Sequence, residues 1–368
     1  MKLLDIKQQD LWSYLDNSPS PVALYGTGDG ADKIIKVLQQ HGLDDRVKAV
    51  FASDGFVRNR TFRGFRVESF DDAHARLGDN MTVLVCFGSS HPEVLANIRR
   101  ISEVCTTFIP DVPVCGETVF DSAFVRENEN RLQGVYDLLE DGISRECFGN
   151  YVNYKLTGRT DLLEASETPD DEKEMLKGFV PGSYFLDLGA YTGDTVERYM
   201  GYLPEAGGAV AVEPERHHFK KLCAVCDNYQ GRVTPVNALI SDHTGEGVMT
   251  SSHGRGTRSG SITGAGEGIN RNKTVPVELE TIDSLMEGRA AGFIKFDVEG
   301  AELEAIRGGS KTIKKHGPIL MVSCYHRSED LFVLPEEVLK IDSGYRVYMR
   351  RSRCVPGWDA AFWFVRKP

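Results

Sequence analysis

The 368-residue chain has no apolar stretch long enough to span a bilayer, so no membrane-crossing segment is expected. Its opening, MKLLDIKQQDLW, interrupts the apolar residues with charges and does not read as a signal peptide. Positive charge is also short. Lys and Arg number 43 against 54 Asp and Glu, a net charge of −11, which argues against a nucleic-acid partner whose phosphates need neutralising. The densest basic group, Arg346, Arg350, Arg351 and Arg353, reads as a solvated strand end. The eight cysteines lack the spacing of a disulfide framework, so a cytoplasmic location is expected. Cys223 and Cys226 have a zinc-ligand interval, but no second pair completes the set, and HHFKKLCAVCDNY reads as an amphipathic helix.

What is present is ordinary for a soluble globular protein: 41% apolar and 26% charged residues. The length calls for more than one core. Residues 1–127 read as a small Rossmann-like α/β domain, with strands at 21–25, RVKAVFASD and MTVLVCFGSS, and a glycine turn followed by the helix ADKIIKVLQQHG. Residues 128–180 read as a helical connector, and 181–368 as a second α/β unit. Its strands are read at SYFLDLGA, GAVAVEPE, VTPVNALIS, TVPVELETI, AGFIKFDVEG, GPILMVSCYH and YRVYMRR. The Gly/Ser-rich 251–273 loop is long enough to suggest a lid or binding loop.

In a doubly wound sheet, ligands sit beyond the carboxyl ends of the strands. YFLDLGAYTGDTVERYM places Gly189 and Gly193 in such a turn, where a ligand approaches bare backbone, and a helix N-terminus follows. Asp187 closes the strand. A carboxylate there repels pyrophosphate and favours a ligand carrying an ammonium and a sulfonium, such as S-adenosyl-L-methionine. Glu213 ends the next strand at the interval where an acid takes ribose hydroxyls.

FLDLGAYTGDT, AVEPE, ETIDSL, IKFDVEGAELEAIRGG and ILMVSCYH together resemble the FkbM family of S-adenosylmethionine-dependent methyltransferases, over about residues 183–350. The resemblance implies a class I methyltransferase-type, Rossmann-like doubly wound sheet. It also implies cofactor contacts from Asp187, Gly189, Tyr191, Gly193, Asp194 and Glu213. NALISD matches the adenine-side strand and adds Asn237 and Asp242, while SGSITG is a partial match that brings in Ser259 and Ser261. The upstream VALYGTGDG…FRGFRV is similar to the Rossmann-like domain some members carry, and to the nucleotide-sugar-associated domain of certain sugar acetyltransferases.

Methyl transfer to a hydroxyl needs an aligned nucleophile and a base. Asp297 and Glu299 follow the strand expected beside the cofactor, and His326 ends the next one, so these three are the catalytic candidates. The two acids also suit capping of the helix begun by GAELEAI, and the histidine suits a plain strand-end role. The trio has metal-ligating atoms, but no spacing demands an ion and none is expected. The expected reaction is O-methylation of a sugar or natural-product hydroxyl on a small-molecule or carbohydrate acceptor. The alternatives are N- or C-methylation, or NAD(P)-dependent redox chemistry through Gly26, Gly28, Gly30 and Asp54. Tyr151 and Lys155 mimic a dehydrogenase pair without its serine at the usual interval. Substrate recognition, homodimerisation or packing are the expected tasks of the first domain.

Overall fold

The computed structural model describes residues 9–53, 57, 60–251, 260–262 and 273–366. Asp54, Ser259 and most of the 251–273 loop lie outside the described residues. The first sheet contains β1 (Val22–Tyr25), β2 (Val47–Phe51), β3 (Thr61–Phe62), β4 (Phe65–Glu68), β5 (Thr82–Val85) and β6 (Thr106–Phe108), in the order β3-β4-β2-β1-β5-β6. All neighbours pair in parallel except β3 with β4. β1 and β5 are buried at every position, as unbroken apolar runs demand of strands covered on both faces.

Helices Ser122–Leu138, Gly142–Thr157, Thr160–Ala165 and Glu172–Met175 follow. Aspartates cap the first two, accepting the N–H of Phe124 and of Ser144. Half of the basic group is no solvated strand end, while the side chains of Arg346 and Arg353 stay 40% and 47% exposed. Arg350 and Arg351 are buried, Arg350 between Asp141 and Asp171 and Arg351 on Ser166 and on backbone carbonyls. These charges tie the helices to the edge of the second sheet. Tyr151 and Lys155 are structural in the same sense: the hydroxyl bonds the Gly357 carbonyl at 2.7 Å, and the ammonium pairs with Asp111 at 2.8 Å.

The second sheet uses β7 (Tyr184–Leu188), β8 (Gly208–Val212), β9 (Val233–Val236), β14 (Ala291–Phe296), β15 (Ile319–Ser323), β16 (Tyr345–Arg351) and β17 (Ala360–Arg366). Their order is β16-β17-β15-β14-β7-β8-β9, with β17 antiparallel to both its neighbours. Between them, β10 (Leu239–Ile240), β11 (Gly245–Ser251), β12 (Gly260–Ile262) and β13 (Lys273–Glu280) form a separate four-stranded sheet. Winding outward from central β7 to β8 on one side and β14 on the other is the class I methyltransferase arrangement. It opens a crevice at the carboxyl end of β7.

Three sequence expectations change here. VTPVNALIS is two strands in two sheets, parted at Asn237, whose amide donates to the carbonyls of Glu213 and Pro214. TVPVELETI pairs with β11 and β10 and takes no part in the main sheet. β17, an unforeseen strand, inserts between β15 and β16.

Candidate active site

Beyond the carboxyl ends of β7, β8, β14 and β15 lies a cleft of about 930 Å³. Seven carboxylates line it against three cations, Arg198, Lys295 and Arg353, so it favours positively charged ligands. Ser90, from the first α/β unit, also lines its wall.

Gly189 turns the chain at φ +81°, and a Cβ there would sit 1.8 Å from the Asp297 carbonyl oxygen. The glycine therefore lets the β7 turn press against the end of β14. Gly193, at φ +98°, faces Val225 of helix Arg216–Cys226, whose Cβ a methyl would meet at 3.0 Å. It serves helix packing and is not part of the cleft wall. Tyr191, Asp194 and Thr195 do line the cleft. Tyr191 sits at φ +47°, its ring centroid 4.2 Å from that of His218.

Asp187 is wholly buried and not part of the wall. Its carboxylate accepts the Thr195 hydroxyl and pairs with Lys295 Nζ at 3.2 Å; Lys295 also donates to the Gly189 carbonyl at 3.3 Å. Its charge is thus met inside the protein, and its task is to hold the turn. Burial opposes the Lys295 charge, but Asp187 and Asp297 outweigh it and raise the ammonium above its usual range. Lys295 and Thr195 were missed from sequence. The signal was there: a lysine inside the otherwise apolar IKF, two residues before Asp297.

Glu213 ends β8 on the cleft wall, 7% exposed. One oxygen accepts the Tyr191 N–H at 3.0 Å and the other the Glu215 N–H at 2.8 Å, which fixes the carboxylate plane. Burial pushes its carboxyl up to about 7 against the pull of those two donors. Each oxygen keeps a lone pair for a ligand hydroxyl. Asn237 holds the backbone at Glu213 and Pro214 and lies behind the wall. Asp242 is also off the wall, half-exposed beside His243 at 2.7 Å; Ala238, Leu239 and Ile240 line the cleft instead. Ser261 sits in β12, paired with Thr250 of β11.

Asp297 and Glu299 both reach the cleft, with 31% and 27% of their side chains exposed. Neither caps the helix Glu302–Gly308, whose N-cap is Ala301 without a side-chain bond. The Tyr325 hydroxyl donates to Asp297 Oδ1 at 2.9 Å. Desolvation alone would raise the Asp297 carboxyl; Lys295, His326 and the Tyr325 hydroxyl together hold it below the usual range. His326 is the outlier among the three candidates, with no exposed surface and no place on the wall. Burial disfavours its charge, but Glu302, Glu299 and Asp297 outweigh this and raise the imidazole well above its ordinary range. From the first unit, Cys115 braces the loop, its N–H donating to the His326 carbonyl and its thiol to that of Glu299.

The glycine turn of the first sheet is built differently. Phe87 crowds Gly26, Gly30 abuts the Cys86 carbonyl, and the helix Asp29–Gln40 opens with Asp29 and Asp32. Acids in that first turn disfavour a dinucleotide phosphate.

Residues 187–347 match the methyltransferase FkbM domain. No curated protein matches the chain. Among solved structures, methyltransferase FkbM from Methylobacillus flagellatus KT is similar in fold, with TM-score 0.67 and 19% identity over 94% of this chain and 90% of that one. A putative rRNA methylase from Clostridium thermocellum overlaps 54% of this chain and 94% of its own, at 10% identity and TM-score 0.32. Fibrillarin from Aeropyrum pernix, in complex with natively bound S-adenosyl-L-methionine, overlaps 53% of this chain and 73% of its own, at 14% identity and TM-score 0.31.

Proposed function

We propose, for a chain that carries a methyltransferase FkbM domain over residues 187–347, that it uses S-adenosyl-L-methionine to methylate a hydroxyl of a sugar or other small natural product. The observation that carries the reading is Glu213: a carboxylate fixed by two backbone N–H groups at the end of β8, across from the β7 turn, in an acidic cleft. A vicinal diol is matched by two carboxylate oxygens held in one plane. A sulfonium and an ammonium suit a cleft with seven carboxylates and three cations. Ala238, Leu239 and Ile240 offer an apolar wall for a purine. Asp194, at the mouth of the helix Asp194–Tyr202, stands where an ammonium would lie.

S-adenosylmethionine, when bound, supplies an electrophilic methyl carbon whose bonding pair returns to sulfur. Glu299 takes the proton of the acceptor hydroxyl as its oxygen pair forms the new bond to carbon. Asp297 is weakened as a base, since Lys295, His326 and Tyr325 stabilise its charge. Its part is to orient the acceptor together with Tyr325. Ser90 and Arg353, at the cleft's outer rim, contact the body of the acceptor and give the first α/β unit a share in recognising it.

The test is calorimetric titration of the full chain with S-adenosylmethionine and with S-adenosylhomocysteine, followed by a labelled-methyl screen against sugar and metabolite pools. One-to-one binding and base-stable label on an oxygen are expected. No binding of either ligand refutes the reading.

A further inference from the structure

Beneath the cleft floor, three side chains converge from three elements: Asp297 just past β14, His326 just past β15, and Glu302 opening the helix Glu302–Gly308. One ligating atom of each lies within 4.8 Å of the others. His326 and Glu302 are 0% and 1% exposed. Glu302 Oε1 accepts the Val298 N–H at 2.9 Å, yet Oε2 is buried with no hydrogen-bond partner. His326 Nδ1 lies 3.0 Å from Glu302 Oε1, and Nε2 lies 3.5 Å from Glu299 Oε2 and 3.7 Å from Asp297 Oδ1, but neither ring nitrogen makes a hydrogen bond of acceptable geometry. An imidazole that meets its carboxylates only at poor angles, buried beside a carboxylate oxygen with no partner, is a costly arrangement. A cation between them resolves both.

We infer that Asp297, Glu302 and His326 form a binding site for one divalent metal ion, with Asp297 as its edge on the cleft. Donors around such an ion, at bonds of about 2.1 Å, stand roughly 3 to 4.2 Å apart. The Asp297–His326 pair already has that spacing, and a small rotation of Glu302 completes the trio. One imidazole with two carboxylates suits manganese and its neighbours better than calcium. Because Asp297 is part-exposed, the ion keeps positions open to the cleft, where an acceptor oxygen would complete its shell. Binding of the ion does not depend on the methyl-transfer reading; only the orienting role rests on it.

The full chain, stripped with chelator and dialysed, is titrated with Mn²⁺ and followed by electron paramagnetic resonance. One bound ion per chain is expected, with nitrogen coupling from a single imidazole in the spin-echo modulation. Glu302→Gln should weaken binding at least about tenfold, with circular dichroism showing that the variant folds. Wild-type protein that binds no Mn²⁺, or binds it without nitrogen coupling, overturns the site whatever the variant does. S-adenosylmethionine titrated in chelator reports on the cofactor cleft alone, so failure of the metal and failure of the methyltransferase reading remain separable.

Discussion

Replacing Glu213 with glutamine should move stability and cofactor affinity in opposite directions. Burial raises this carboxyl from its ordinary 4.5 to about 7. The folded chain thus binds the proton more tightly than the unfolded one, and stability falls as pH climbs from about 4.5 through about 7, then levels. That interval is worth about 3 kcal/mol, at about 1.4 kcal/mol per pH unit. For a chain of this length it corresponds to about 4 °C in melting temperature. Glutamine resembles the protonated acid and does not titrate. The melting point of Glu213→Gln, measured against wild type without ligand, should therefore gain about 3 °C between pH 5 and pH 8, where about 2.5 kcal/mol of the effect falls. At pH 8, where the wild-type carboxylate is ionised, the variant should bind S-adenosylmethionine about thirtyfold more weakly, the loss of about 2 kcal/mol when one charge-assisted hydrogen bond is exchanged for a poorer one, and the gap should narrow towards pH 5. Differential scanning fluorimetry and calorimetry read the two effects on one preparation. A stability gap that ignores pH would show that burial does not strain this carboxylate. Unchanged affinity would remove Glu213 from the cofactor site.

Glu299→Gln should lower turnover about 10²- to 10⁴-fold with cofactor affinity unchanged; near-normal turnover excludes it as the base. Gly189→Ala would drive a methyl to 1.8 Å from the Asp297 carbonyl at φ +81°, so a loss above about 3 kcal/mol is expected, and an unaltered thermal melt would refute that packing argument. Asp187→Asn takes from the buried Lys295 ammonium the nearer of its two carboxylates, leaving Asp297 at 3.7 Å, at a cost of about 3 kcal/mol. The double variant Asp187→Asn/Lys295→Met should regain part of that loss in thermal melts, and a double variant as unstable as the single one argues against the pairing.

The central sheet was legible where strands carry unbroken apolar runs: β7, β8, β14 and β15 all fall where such runs predict them. β11 was not, because Gly245-Glu246-Gly247 has little intrinsic strand preference and is held by its pairing with β13. AAFWFVR was legible and overlooked; its apolar run is the mark of β17. In the site, Glu213 reaches the wall because a strand end aims it there. Asp187 shares that kind of position, yet a lysine 108 residues away on β14 absorbs its charge, a pairing set by sheet order that no local pattern announces. Burial separates His326 from Asp297 and Glu299 for a similar reason. The helix Glu302–Gly308 supplies Glu302 at His326, and only the packed fold puts the two together.

Cys115 lies 184 positions before the carbonyl of Glu299 that its thiol holds, and its backbone steadies His326 as well. Random mutagenesis screened for altered turnover should therefore return hits in the amino-terminal half of the chain. Those hits would mimic a second catalytic centre while acting as remote props for the first. Grafting residues 187–347 alone onto another scaffold would leave those props behind.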